Sequence, residues 1–210
     1  MEFSIKQGSP EKLRGGCVVV GVHEGGKLSA AAQLLDKAAA HRLSDLIARG
    51  DMDGKAGSTL MLHNIVGIAA ERVLLVGLGK AAELGAKQFL DVLQAIFGAL
   101  QKSASKDAAL YLTGLEVKDR DDNWKIRQTV LVAAESAYRR DRLKSKPADA
   151  PALRKVVLAG VDKPDAAARQ ALDQAAAIAG GMNLTRDLGN LPGNICTPSY
   201  LAARALALGK

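Results

Sequence analysis

The chain has 210 residues and a mass of 21.9 kDa; 48% of its residues are hydrophobic, 3% are aromatic, and its formal net charge is +7. This length can bury one sizeable core, but no window approaches the roughly 18 consecutive apolar residues of a membrane span, and no run of signal-peptide type opens the chain. Two cysteines far apart in sequence exclude a disulfide framework, so we expect a cytoplasmic protein without a membrane association.

Short apolar runs rich in β-branched residues predict the strands of a buried sheet. The run at 17–22 is bounded by glycines, as expected of a central strand, and the opening Phe3-Ser4-Ile5 can add an edge strand. Further runs of the same kind are 59–63, 73–76, 109–112 and 156–158.

Segments with apolar residues at helical spacing alternate with these runs. The segment 87–102 has a clear apolar face, and 29–49 has one that we expect to break near His41. Two alanine-rich segments, 122–139 and 165–188, follow. This alternation predicts an α/β fold, a three-layer sandwich with a mostly parallel or mixed sheet.

A glycine-rich turn follows the predicted strand at 73–76. Gly77, Gly79 and Lys80 belong to a segment of the form G-x-G-x-x-A, in which glycines can let backbone amides approach a pyrophosphate. The match is weak, because the next helix begins several residues later, near Ala86, and the phosphate-loop spacing is absent. A tight turn after the strand explains the glycines equally well.

Positive charge is concentrated in one interval, residues 139–155. The interval contains only Asp141 and Asp149 as counter-charges and includes a proline-rich stretch, so it is typical of a solvated loop, with a phosphate-binding patch as the alternative. The candidate DNA contacts are Arg139, Arg140, Arg142, Lys144, Lys146, Arg154 and Lys155.

The residue types needed for metal or nucleophilic chemistry are scattered. His23, His41 and His63 show no helical pairing with one another and no clustering with the cysteines, so their spacing does not predict a zinc site. The chain has no G-x-S-x-G motif. We therefore predict no catalytic and no metal-binding residue in this chain.

The last 28 residues have the pattern of a connector between two helices. Gly189 and Asn190 tolerate the left-handed conformation that ends a helix, and Pro192 prevents its continuation. Thr197 and Pro198 then predict the start of a new helix with an apolar face. That face has no partner in the remaining sequence, which favours a chain truncated inside a second domain over a tail helix that folds back on its own domain.

Four segments resemble the zinc-dependent leucyl aminopeptidases, or cytosol aminopeptidases, of bacteria. The longest runs from Arg186-Asp187-Leu188-Gly189-Asn190 to Pro198, and the others are 1–4, 76–80 and 124–128. The resemblance covers the whole chain, and it implies a macro-domain-like amino-terminal domain. On this basis we expect an α/β domain at 1–160, a connecting helix at 161–189, and a linker with the first helix of a truncated catalytic domain at 190–210.

The resemblance also implies a function for the complete protein. Such a protein releases amino-terminal residues, leucine preferred, from peptides, uses two divalent metals (zinc or manganese), and forms a homo-hexamer. The family's metal-binding and catalytic motifs would lie beyond Lys210. We therefore expect this fragment to be inactive and without a cofactor, with its own catalytic domain as its main partner. Alternatives are a DNA-binding module through the basic interval and a macro-domain-like nucleotide-binding module.

Overall fold

The computed structural model describes residues 1–139, 152–160 and 164–209. It forms six strands and six α-helices, with no helix in this part of the chain long and apolar enough to cross a membrane. In chain order they are β1 (Glu2–Lys6), β2 (Cys17–His23), α1 (Ala30–Ala38), α2 (Arg42–Ala48), β3 (Thr59–His63), β4 (Arg72–Gly79), α3 (Ala86–Gln101), β5 (Asp107–Leu110), α4 (Asp122–Ala137), β6 (Lys155–Ala159), α5 (Ala166–Asn190) and α6 (Pro198–Leu208).

The strands form one sheet in the order β1-β6-β5-β2-β4-β3. Five strands run parallel, and only β3 is antiparallel to its neighbour, β4. The predicted mostly parallel sheet is thus confirmed, and the short opening run forms the edge strand β1. The antiparallel direction of β3 follows from the short connection to β4, since parallel neighbours need a longer crossover.

Helices cover both faces of the sheet, because alternate residues of the central strands point to opposite sides. Val19 and Leu74 belong to the core beneath α3 and α4, whereas Val18 and Leu75 belong to the core beneath α1 and α2. Helix α5 packs against α4 on the α3 face. The three-layer α/β sandwich is therefore confirmed.

The break predicted near His41 separates α1 from α2. Ala40 and His41 have φ values of 49° and 61°, so the chain reverses through two left-handed residues. The Asp36 carboxylate, buried at the end of α1, accepts hydrogen bonds from the Ser44 amide (2.9 Å) and hydroxyl (2.6 Å) and lies 3.1 Å from His41 Nδ1. One buried carboxylate thus caps the first turn of α2.

Helix α5 extends to Asn190, two residues past the end expected from Gly189 and Asn190 as terminators. Neither residue has a positive φ. The Asn190 side chain donates instead to the Tyr138 hydroxyl at 3.0 Å, which holds the last turn of the helix against α4. Leu191, the first residue after the helix, is extended as expected of a residue before proline.

Candidate functional sites

The glycine-rich segment after 73–76, predicted to form a turn, instead continues β4 as far as Gly79 and contacts a loop of the same chain. A Cβ atom on Gly77 would lie 1.9 Å from the Lys55 carbonyl oxygen, and the Gly77 amide donates to the Ser58 carbonyl at 2.8 Å. Gly79 has φ of 72°, and its amide donates to the Gly54 carbonyl at 2.9 Å. Close approach of the 54–58 backbone therefore accounts for Gly77, and the left-handed conformation accounts for Gly79.

Lys80, the third member of the predicted nucleotide loop, lies apart from this backbone contact. Its side chain is 63% exposed, and Nζ lies 3.2 Å from Glu83 Oε1. The structure brings Gly77 and Gly79 against the 54–58 loop and directs Lys80 to the surface. Nucleotide binding at Gly77, Gly79 and Lys80 stays a prediction.

The structure describes only some of the predicted DNA-contact residues. Arg139, Arg154 and Lys155 are described, whereas Arg140, Arg142, Lys144 and Lys146 lie outside the described residues. Lys155 Nζ lies 2.9 Å from Glu2 Oε1, so its charge is paired. Arg154 is exposed, and its amide donates to the carbonyl of the exposed residue Lys106 at 2.8 Å, so the two residues are neighbours in the backbone at the amino-terminal ends of β6 and β5.

A crevice of about 230 Å³ lies at the carboxyl ends of β1, β5 and β6, beside the first turn of α1. Ligands of open parallel sheets commonly bind in such a position. Its lining includes Gly8, Leu34, Tyr111, Leu115 and Gly160. No charged side chain lines it within the part of the chain that the structure describes. Among the described residues, the crevice therefore has no ionisable lining group suited to acid–base chemistry near neutral pH.

Two hydroxyl side chains around this crevice donate hydrogen bonds to backbone carbonyls. The Tyr111 hydroxyl donates to the Gly8 carbonyl at 2.8 Å, and burial, followed by the nearby charge of Glu11, raises the pKa of Tyr111 to about 12. The Thr113 hydroxyl donates to the Ala159 carbonyl at 2.7 Å. These bonds tie the loops after β1, β5 and β6 together and leave the phenol protonated at neutral pH.

Lys125 is a buried cation that the sequence analysis did not single out. Its ammonium group donates to the carbonyls of Thr113 and Leu115 and lies 2.7 Å from Asp122 Oδ1. Its side chain is 5% exposed. Lys125 belongs to the segment that carries part of the family resemblance, but position alone could not reveal that it fastens the loop after β5.

The described residues form no metal site, and the thiol of Cys17 is buried. Within 1–139, 152–160 and 164–209, no three His, Cys, Asp or Glu side chains lie close enough to hold a metal ion. Burial is the main reason why the pKa of Cys17 rises to about 12, so its thiol stays protonated and unreactive. The described residues therefore do not fit a dimetal site, and no catalytic step is assigned to them.

A polar cluster joins the end of α4 to the end of α5. The Tyr138 hydroxyl donates to Asp187 Oδ1 at 3.1 Å and accepts from Asn190 at 3.0 Å. Arg186 pairs with Glu135 at 2.8 Å and lies over the Tyr138 ring, 5.4 Å from its centroid. We call these five residues the α4–α5 clasp. The clasp fixes the position from which the chain leaves the sandwich.

Beyond the clasp, α6 has no buried residue. The Thr197 hydroxyl accepts from the Tyr200 amide at 3.3 Å, so the predicted helix start is confirmed. Leu206 and Leu208 are 72% and 71% exposed. A capped helix with exposed leucines has the character of a surface that another partner can cover.

Comparison with known proteins matches this sequence to one family. Residues 19–147 match the family model described as "Cytosol aminopeptidase family, N-terminal domain". The chain belongs to the cytosol aminopeptidase family. It is 55% identical over 207 residues to a probable cytosol aminopeptidase of Nitrosomonas europaea, covering 98% of this chain and 42% of that protein. The chain thus spans about two fifths of the length of this relative.

Two solved structures share the fold of this family member. A mutant of tomato leucine aminopeptidase has a TM-score of 0.76 at 22% identity, covering 99% of this chain and 42% of that one. The bottromycin maturation enzyme BotP in complex with Mn has a TM-score of 0.65 at 23% identity, covering 92% of this chain and 36% of that one. The sandwich is therefore the fold found in part of both longer proteins.

Proposed function

We propose that this chain is the non-catalytic amino-terminal domain of a longer leucyl aminopeptidase, which releases amino-terminal residues, leucine preferred, from peptides. The observation that carries the proposal is the match of residues 19–147 to the amino-terminal domain of the cytosol aminopeptidase family. The coverage of only 42% of the Nitrosomonas relative supports it, because most of that protein has no counterpart here.

The remaining parts of the proposal concern the longer protein. It uses two divalent metals, zinc or manganese, held by residues outside this domain; the solved complex of BotP with Mn supports this choice. The metals would polarise the scissile carbonyl and activate a water. The longer protein works in the cytoplasm as a homo-hexamer. The role of this domain is to hold α5, through the α4–α5 clasp, in a fixed position beside its own catalytic domain.

The test compares the 210-residue chain with the full-length Nitrosomonas relative. Both proteins are purified, loaded with Zn²⁺ or Mn²⁺, dialysed and assayed with a leucyl anilide. We expect metal-dependent turnover by the relative and none by the 210-residue chain. Chelator-sensitive turnover by the short chain that persists through further purification would contradict the non-catalytic role. Inactivity of the full-length relative on every aminoacyl anilide would contradict the aminopeptidase assignment.

DNA binding is a second candidate, favoured by the exposed residues Arg154 and Lys106, whose backbones are hydrogen-bonded to each other at the amino-terminal ends of β6 and β5. Each phosphate contact that is lost should lower the salt dependence of binding by about one unit of slope. Duplex-DNA titrations over a salt series should therefore be shallower for Lys106→Ala/Arg154→Ala than for the parent. The exposed Lys87→Ala on α3 is the matched control. Equal slopes for all three proteins would refute the contact.

A further inference from the structure

The outer edge of β3 is the end of the sheet. Among residues 1–139, 152–160 and 164–209, no strand pairs with it. Two bonds fix which residues of β3 face β4: the Gly77 amide donates to Ser58 O at 2.8 Å, and the Asn64 amide donates to Glu71 O at 2.9 Å. Along an antiparallel strand, every second residue directs its amide and carbonyl toward the same neighbour. The even-numbered residues of β3 therefore form the backbone hydrogen bonds with β4.

The odd-numbered residues Thr59, Met61 and His63 therefore point their amides and carbonyls away from the sheet. Their side chains share one face and line an open groove of about 680 Å³ beside α3. Both ends of β3 are exposed and its three central residues are half-buried. Thr59, Met61 and His63 thus present both outward-pointing backbone groups and a groove in which side chains of a partner strand can pack.

This edge lacks the features by which proteins normally block edge-to-edge pairing. The strand Thr59–His63 contains no lysine and no proline, and its register with β4 has no bulge. Exposed regular edges without such features are templates for a further strand.

We propose that β3 pairs antiparallel with β3 of a second copy of this chain, about a two-fold axis through Met61, so that two six-stranded sheets become one. Outward-pointing residues must face outward-pointing residues in such a pair. Met61 then lies opposite Met61 of the second copy, and Thr59 lies opposite His63. This register uses the same surface on both copies, as a closed dimer requires.

The distribution of charge favours a second copy over an acidic peptide. The cationic side chains that line the groove belong to Arg72, which lies opposite His63 in the register of β3 and β4, and to Lys102. The antiparallel pair separates the two His63 residues by about 13 Å along the strands, beyond the screening length of about 8 Å. Arg72 is already paired with Glu71 at 2.7 Å, which weakens its attraction for an acidic peptide. The inference rests on β3 and its groove and is independent of the proposed function.

Cysteine cross-linking tests the register directly. In a Cys196→Ser background, Met61→Cys places two thiols on residues whose Cα atoms are about 5.5 Å apart, within the range of a disulfide. Thr59→Cys on the same strand is the matched control, because its two copies lie about 13 Å apart. We expect Met61→Cys to form covalent dimers at least tenfold faster. Equal rates for the two variants, or cross-linking of neither, would overturn the proposal.

Sedimentation of the unmodified chain supplies the second measurement. We expect a concentration-dependent dimer that Met61→Lys converts to monomer and that Leu206→Lys, on the exposed face of α6, leaves intact. A chain that stays monomeric at every concentration would overturn the proposal. A dimer lost with Leu206→Lys but not with Met61→Lys would also overturn it, because the contact would then lie on α6. Urea midpoints check that each variant is folded.

Discussion

Replacing Lys125 with methionine should destabilise the domain without changing its shape. Methionine retains much of the length of the buried stem but removes the ammonium group. The carbonyls of Thr113 and Leu115 then lose a donor, and the loop after β5 loses its attachment to α4.

The expected loss is about 2 to 4 kcal/mol. Each buried carbonyl left without a donor costs about 1 to 3 kcal/mol, and relief of the buried ammonium offsets part of the sum. The Asp122 carboxylate is 64% exposed, so the lost ion pair adds less than about 1 kcal/mol. For a chain of this length, the loss corresponds to a melting temperature lower by about 5 to 15 °C.

Urea unfolding followed by circular dichroism and by the fluorescence of Trp124 measures the loss. Trp124 is the only tryptophan in the chain and precedes Lys125 on α4. Lys87→Met, at an exposed position of α3, makes the same chemical change without removing a donor from a buried carbonyl. If Lys125→Met and Lys87→Met differ by less than about 0.5 kcal/mol, the ammonium does not fasten the loop, and the reasoning fails.

Three further predictions follow from named contacts. Burial alone would raise the pKa of Asp36, but hydrogen bonds from Ser44, and then His41, outweigh it and lower the pKa. Asp36→Asn should cost about 1 to 2 kcal/mol at pH 7. In unfolding curves, this difference should begin to shrink as the pH falls through the ordinary aspartate value of 3.8 and should be lost below the lowered pKa of the folded protein. Gly77→Ala should lower the free energy of unfolding by about 3 kcal/mol or more. Gly98→Ala, whose added Cβ would meet no atom within 4 Å, should instead stabilise α3 by about 0.5 to 1 kcal/mol. Urea titrations measure both changes, and equal effects would contradict the internal contact at Gly77. Hydrogen exchange of α6 should be much faster than that of β4 in a verified monomer, and equal protection would mean that α6 packs on this domain.

The sequence alone determined the elements with a strong local signal. The apolar face of α3, the buried run of β2 and the Thr197-Pro198 helix start each depend on residues within a few positions of one another. The family followed in the same way, because a run such as Arg186–Pro198 is specific by itself. Local periodicity and capping suffice wherever one segment contains its own signal.

Only the tertiary structure decided which partners the glycines, the buried lysine and the residues at the ends of α4 and α5 contact. Gly77 fits a phosphate-binding turn by pattern, but its partner is a loop some 20 residues earlier that fills the space beside it. Lys125 lies in a helix with a weak amphipathic pattern, and Tyr138 meets Asp187 across 49 residues. Such pairings depend on how the sheet orders its strands and helices. A sequence specifies them only through the summed free energy of the whole core, which no short pattern contains.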